Sequence, residues 1–316
     1  MIHLVRRFLR RPKLSVVVVV YDMGREAPRT LRSLAMPYQI DISEQDYEII
    51  VMDNGSPQPL GKELVQNFGP QFRYQYVENA SQSPAAAINQ GVALSRGSLV
   101  GIYIDGARLA SPGLLSTALR GFCLYDDPIV ATLGWHLGPE VQQKSVHSGY
   151  CKQVEEALLE SIGWPLDGYR LFDISTLALS SRDGYFTAPS ESNAVFMRRN
   201  TFIELHGFDV AFDEAGGGLL NLDFFIRALE RTQSPLVMLL GEGTFHQLHG
   251  GASTSAQITD QDQFQKWAEK YHRLRGKPWQ HPVKTMTYIG KLSATSYKSL
   301  CLSVERLRTS GQPNNL

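Results

Sequence analysis

Residues 14–21 form an apolar run broken only by Ser15, with five consecutive valines. A run this short does not make a buried helix, and β-branched side chains suit a pleated sheet. It therefore predicts a strand covered on both faces. The same beat returns through the first half of the chain. Helices are predicted over 26–35, 61–68, 84–94 and 112–125, the third with Pro84 suited to its first turn. Between them fall strands over 47–53, 72–77, 99–105 and 129–133. Strands alternating with helices predict parallel strands joined by right-handed crossovers.

The second half is less regular. A helix is expected over 152–161. Residues 164–189, rich in Gly, Ser, Asp and aromatics, read as loop of the kind that builds a binding face beside a sheet. A short strand over 194–197, a helix over 200–206, the glycines 216–218, a helix over 222–231 and a strand over 236–240 follow. Tail helices are expected over 257–274 and 285–308, joined by a proline-containing stretch. No internal repeat or low-complexity run is present. The pattern predicts an α/β fold with a mostly parallel sheet flanked by helices. Its parts are a basic segment over 1–13, a main domain over 14–252 and a basic helical extension over 253–316.

Composition changes this picture little; the placement of charge changes it more. Of 316 residues, 43% are hydrophobic and 20% charged, ordinary for a globular protein. The net charge is zero, yet residues 1–13 carry five basic side chains and no acid, and residues 261–316 carry ten against three acids. Basic ends on an acidic body suggest peripheral contact with an anionic membrane; solvated helix faces are the alternative. No nucleic-acid partner is expected. Arg6-Arg7 followed by the valine run superficially resembles an export signal, but the run reaches Asp22 with no small-residue cleavage site. No stretch approaches the ~18 apolar residues needed to span a membrane. Cys123, Cys151 and Cys301 are too widely spaced for a zinc site or disulfide framework, which points to a reducing, cytoplasmic setting.

Three predicted strands end at a carboxylate: Tyr21-Asp22, Asp53-Asn54-Gly55-Ser56 and Asp105-Gly106. In α/β sheets ligands sit at the carboxyl ends of strands, so these residues are presented at a cleft. Tyr21 can stack on a base, and Asp53 can accept a hydrogen bond from an imide N–H such as that of uracil. Asp105 can hold a metal or a sugar phosphate; its alternative is capping the loop before Pro112. A dinucleotide dehydrogenase would need Gly-x-Gly-x-x-Gly after the first strand, which is absent, as is a P-loop.

The segments SVVVVVYD, EIIVMDNGS, SPAAAINQGVALSRGSLVGIYIDGA and FMRRNTFIELHGFD, in this order and spacing, resemble the family 2 glycosyltransferases of the GT-A fold over about residues 14–250. The resemblance implies a nucleotide-sugar donor, an unidentified glycan, lipid or protein acceptor, and a divalent cation, Mn2+ or Mg2+, on the diphosphate. It places Asp53 at the base, Asn89 in the helix beside the nucleotide, and Asp105 as the first carboxylate of the Asp-x-Asp motif; Asn54, in the turn after Asp53, is expected to bind the nucleotide-sugar.

The chain also departs from the family. The second carboxylate is replaced by Ala107. His246 and His249, in a glycine-rich loop, are expected to complete the metal site with Asp105; bonding phosphate or loop backbone without metal is their alternative role. Aligned on Arg227, Asn221 stands where inverting members carry the base aspartate. Asp223, two residues on, becomes the candidate base, or else an acid pairing with the helix dipole. The same pattern resembles retaining polypeptide N-acetylgalactosaminyltransferases, so the stereochemistry stays open. Glu191-Ser192-Asn193 is placed on the acceptor side, and Trp135, His136 and His147 read as a packed aromatic cluster, with contact to substrate as the alternative. A nucleotide- or glycan-binding module without catalysis is the rival function.

Overall fold

The computed structural model describes residues 11–250 and 261–310. The segment expected over 1–13 is thus described only from Arg11, and the boundary expected at 253 lies outside the described residues. The strands are β1 (Leu14–Val20), β2 (Tyr47–Asp53), β3 (Phe72–Tyr76), β4 (Leu99–Tyr103), β5 (Arg108–Ala110), β6 (Val130–Leu137), β7 (Ser175–Leu177), β8 (Ala194–Arg198), β9 (Leu236–His246) and β10 (Met286–Gly290). The helices are α1 (Glu26–Ser33), α2 (Lys62–Gln66), α3 (Ala85–Ala93), α4 (Leu114–Gly121), α5 (Gln142–Ser145), α6 (Lys152–Ser161), α7 (Arg199–Glu204), α8 (Leu220–Arg231), α9 (Gln261–Arg275) and α10 (Tyr297–Ser310).

The strands form one sheet in the order β10-β9-β6-β8-β4-β1-β2-β3, with β5 added to β9 and β7 to β6. Alternation along the central strands sends side chains to two separate cores. Val17, Val19, Ile50, Met52 and Ile102 pack on one face, and Val16, Val18, Val20, Ile49 and Val51 on the other. Both faces are covered, as the unbroken apolar runs require. Gly91 lets α3 lie directly on the sheet: a Cβ there would stand 2.5 Å from Val17 Cγ1.

Strand direction decides where the chemistry gathers. β1 runs parallel to β2 and β4, and β6 parallel to β9. β8 alone on the main path is reversed, pairing antiparallel with both β4 and β6. The carboxyl ends of β1, β2, β4, β6 and β9 therefore open on one edge of the sheet, and the amino end of β8 opens there too.

The structure differs from the sequence pattern in the tail. Residues 286–290, expected within a helix, are a strand that pairs parallel with β9. The short β5 and β7 were also not legible: three residues give no period to read. Part of the tail's positive charge is met inside the chain. Lys270 pairs with Asp213 and Glu214, Arg275 with Asp209 and Asp223, and Lys277 with Glu230. No helix among the described residues is long and apolar enough to cross a membrane.

Candidate active site

At the shared edge, β4 runs out through Ile104 into Asp105, and Gly106 turns the chain at once. A Cβ at Gly106 would lie 2.4 Å from Val20 Cγ1, so only glycine fits against the end of β1. The chain returns as β5, antiparallel to the last residues of β9, which sets Arg108 opposite His246. On the far side of β9, β6 sets His136 opposite His246. Registered partners share a face, so Arg108, His246 and His136 form one row across three strands. The turn after β9 is tied back to this row: the Gln247 N–H donates to the Ala107 carbonyl at 2.8 Å.

Asp105, His246 and His249 each direct one ligand atom into this space, all within 4.8 Å of one another. The two histidine Nε2 atoms are 3.0 Å apart. Gln142 decides the tautomer of His246. Its Nε2 donates to the His246 carbonyl at 2.9 Å, which leaves its Oε1 to accept from His246 Nδ1–H at 2.7 Å. His246 Nε2 is then a free lone pair facing His249. The loop carrying His249 is held by a buried ion pair: Arg25 Nη2 bonds both Glu155 (2.8 Å) and the Leu248 carbonyl (2.7 Å), and the Leu248 N–H donates to Glu155 at 2.6 Å.

Burial sets the protonation of these groups. It pushes His246 well below the usual imidazole range, with the Arg108 charge acting in the same direction. His136 is lowered to about 3 by burial and then by Arg108. His249 is lowered by burial, against the opposing pull of Asp105. All three are neutral at pH 7, the form that ligates metal. Asp105 Oδ1 accepts from the Ala107 N–H (2.9 Å) and Oδ2 from Arg108 Nε (2.8 Å), yet about a fifth of its side chain remains exposed. Arg108 Nη1 is buried with no hydrogen-bond partner.

Several expected site residues have other tasks. Asp53 is fully buried; Oδ1 accepts from the Ser56 N–H and Oδ2 from the Leu60 N–H and the Tyr74 hydroxyl, at 2.9–3.1 Å. It organises the loop after β2 and is closed to a base. Asn54 ties that loop to the Ser81 carbonyl at 2.9 Å. Asn89 is committed to the backbone of Phe208, donating to its carbonyl (2.8 Å) and accepting from its N–H (2.9 Å). Tyr21 stands at the end of β1 with its ring 55% exposed, open for stacking. Asp223 has no exposed surface; Arg227 and Arg275 occupy both its oxygens at 2.5–2.8 Å. A carboxylate so enclosed cannot take a proton from an incoming hydroxyl, so the candidate base assigned from sequence is an anchor between α8 and α9. Asn221 holds Glu191 instead, donating from Nδ2 to Oε2 at 2.7 Å.

Arg108 and Gln142 were not singled out for this site from sequence, and His136 entered only as a member of an aromatic cluster with substrate contact as its other role. The one local signal was the spacing of Arg108, three residues after Asp105. His136 and Gln142 enter through strand register and a loop, which no motif reports.

Residues 15–162 match the family model described as Glycosyl transferase family 2. Among solved structures, the chain is similar to S. aureus TarS, with 12% identity and a TM-score of 0.53 over 95% of this chain and 45% of that one. It is also similar to S. aureus TarS 1-349 in complex with UDP-GlcNAc, with 13% identity and a TM-score of 0.51 over 96% of this chain and 74% of that one. The chain thus spans less than half the length of the first of these. A comparison with curated proteins gives no match. Sheet order and these likenesses define the class of fold: one mixed, mostly parallel sheet flanked by helices. Within that class, the chain has a GT-A fold.

Proposed function

We propose that this chain transfers a sugar from a nucleotide-diphosphate donor, of which a UDP-sugar is the first choice, to an acceptor hydroxyl. The observation that carries the reading is the convergence of Asp105, His246 and His249 at the carboxyl ends of parallel strands in a GT-A fold. The match of residues 15–162 to the family 2 model and the similarity to S. aureus TarS 1-349 in complex with UDP-GlcNAc support it.

The cluster fits a divalent cation. Two ligands about 2.1 Å from one ion at right angles stand about 3.0 Å apart, the separation of the two Nε2 atoms. One carboxylate oxygen and two imidazole nitrogens suit Mn2+ better than Mg2+. A cation held there would supply positive charge to the departing diphosphate. The chain's own residues do the rest. Tyr21 offers a ring for the base, Gln142 fixes the His246 lone pair, and Arg108 adds a permanent cation beside Asp105. The adjacent Arg108 charge disfavours a cation on its own, so donor and metal should bind together.

The test is a thermal-shift titration with UDP-GlcNAc and GDP-mannose, each with and without Mn2+, alongside release of free nucleotide. A ligand that binds only the folded state raises the melting temperature. A rise with nucleotide-sugar plus Mn2+ beyond either alone, followed by nucleotide release, is expected. Binding without turnover across donors and acceptors would leave a binding module, and no shift with any nucleotide-sugar would end the transferase reading.

A further inference from the structure

Asp223 is enclosed and Asn221 carries no basic group, so the site as read from sequence lacks a base. The fold supplies another carboxylate. β8 pairs antiparallel with β4, with Ala194 opposite Tyr103. The residues that follow β4 and those that precede β8 therefore leave the sheet at the same edge, and Glu191 lies close enough to Asp105 and Arg108 to feel both charges. Glu191 is thus delivered to the mouth that holds Asp105, by the one strand of the main path that runs backwards. Its side chain is half-buried and forms no ion pair among the described residues. Asn221, at the start of α8, donates to one of its oxygens at 2.7 Å. The Asn221 amide is itself steered by the Ser192 carbonyl at 3.4 Å. The second Glu191 oxygen has no hydrogen-bond partner among the described residues.

We propose that Glu191 is the general base of this site and that Asn221, standing where the sequence resemblance places a base aspartate, positions it. The inference rests on the transferase reading above. In the reaction, Glu191 takes the proton of the acceptor O–H as the acceptor oxygen bonds to the anomeric carbon of the sugar. The bond from that carbon to the donor phosphate oxygen breaks, and the nucleoside diphosphate leaves with the bonding pair. Glu191 ends as the neutral acid and the sugar is inverted. The surroundings suit the role. Burial pushes the carboxyl above its usual range, Asp105 acts in the same direction, and Arg108 and the Asn221 amide hold it down. A base brought toward neutral pH abstracts a proton more effectively than an ordinary carboxylate. Asn221 donates to one oxygen only, so it orients the group and leaves the other lone pairs to the acceptor.

Water serves as the acceptor in the test, with UDP-GlcNAc and GDP-mannose as donor probes in the presence of Mn2+. Glu191→Gln keeps shape and polarity but loses the base. It should bind the donor within about two-fold of wild type while nucleotide release falls at least about 100-fold. Asn221→Ala should lower kcat about ten-fold with KM within two-fold, since it removes orientation and not binding. A merely structural Asn221 would lower thermal stability and the active fraction but leave kcat per folded molecule unchanged. Glu191→Gln releasing nucleotide within three-fold of wild type would overturn the assignment and leave the transferase reading standing. Wild-type protein that neither binds nor cleaves either donor would overturn both. Melting curves of each variant identify misfolding, and Asn221→Ala reads the same contact from the partner side.

Discussion

Asp105 and Asp223 are both aspartates paired with arginine, and they do opposite work. Asp223 lies on α8 with no exposed surface, and two arginines, one from its own helix and one 52 residues away on α9, fill its oxygens. Asp105 lies past the end of β4, pairs with one arginine three residues on, and keeps part of its carboxylate open beside two neutral imidazoles. Charge and pairing do not separate a structural carboxylate from a chemical one. Open lone pairs at an accessible edge do. Asp53 falls on the Asp223 side of this line, saturated by its own loop, and Glu191 falls on the Asp105 side.

The contrast is most exposed at Asp223. Asp223→Ala leaves the largely buried Arg227 without its acid and Arg275 with Asp209 alone, and should cost about 3–5 kcal/mol of stability. Chemical denaturation would show it, while the folded fraction should still bind nucleotide-sugar with wild-type affinity. Loss of donor binding at unchanged stability would reverse the roles assigned here.

Asp105→Asn and His246→Ala should behave the other way. Each should weaken metal-dependent donor binding about 100-fold, roughly 2.7 kcal/mol, with little change in melting temperature. The double variant should be little worse than either single one, because both remove the same ion. Calorimetry with and without Mn2+ separates this outcome from independent, additive losses.

Glu242 sharpens the comparison from a third direction: it is a buried carboxyl held by hydroxyls, with no ion pair among the described residues and only the more distant charge of Arg120 acting on it. Burial raises it to about 7, against hydrogen bonds from Ser111 (2.5 Å) and Tyr169 (2.9 Å). Between pH ~4.5 and 7 the folded state therefore holds a proton the unfolded chain has released, and stability falls as pH rises through that window. Glu242→Gln removes the effect. Its stability relative to wild type should climb from pH 5 to pH 8 by on the order of 2–3 kcal/mol. A pH-independent difference would show that Glu242 does not titrate there. His136, lowered to about 3, has the opposite sign: its contribution is present above pH ~6.5 and is lost as pH falls toward 3.

The smallest effect is expected at Tyr21. Its ring is exposed and packs on nothing that stability depends on, so Tyr21→Ala should leave the melting temperature alone. If the base stacks there, donor affinity should fall by about 1 kcal/mol, near five-fold. An unchanged affinity would move the base elsewhere along the edge.

Most of the first half was legible because its signals are local. Five valines in a row, YEIIVMD and LVGIYID each declare a strand covered on both faces, and Gly and Pro punctuate them. Tyr47–Asp53 and Lys152–Ser161 fall where the pattern put them. The tail was misread at 286–290, where five residues give too little period to tell a strand from a helix turn; pairing with β9 settled it.

The site divides the same way. The sequence by itself placed carboxylates at strand ends and His249 beyond β9, because strand ends and turns are written in neighbouring residues. His246, expected in the same loop, is instead the last residue of β9, which runs six residues past the expected end at 240. Only the tertiary structure decided which of them stay free for chemistry. Arg275 reaches Asp223 across 52 positions and Asn221 reaches Glu191 across 30, while Arg108 meets His246 through strand register. A carboxylate's remaining lone pairs depend on partners brought from such distances, and no local pattern records them.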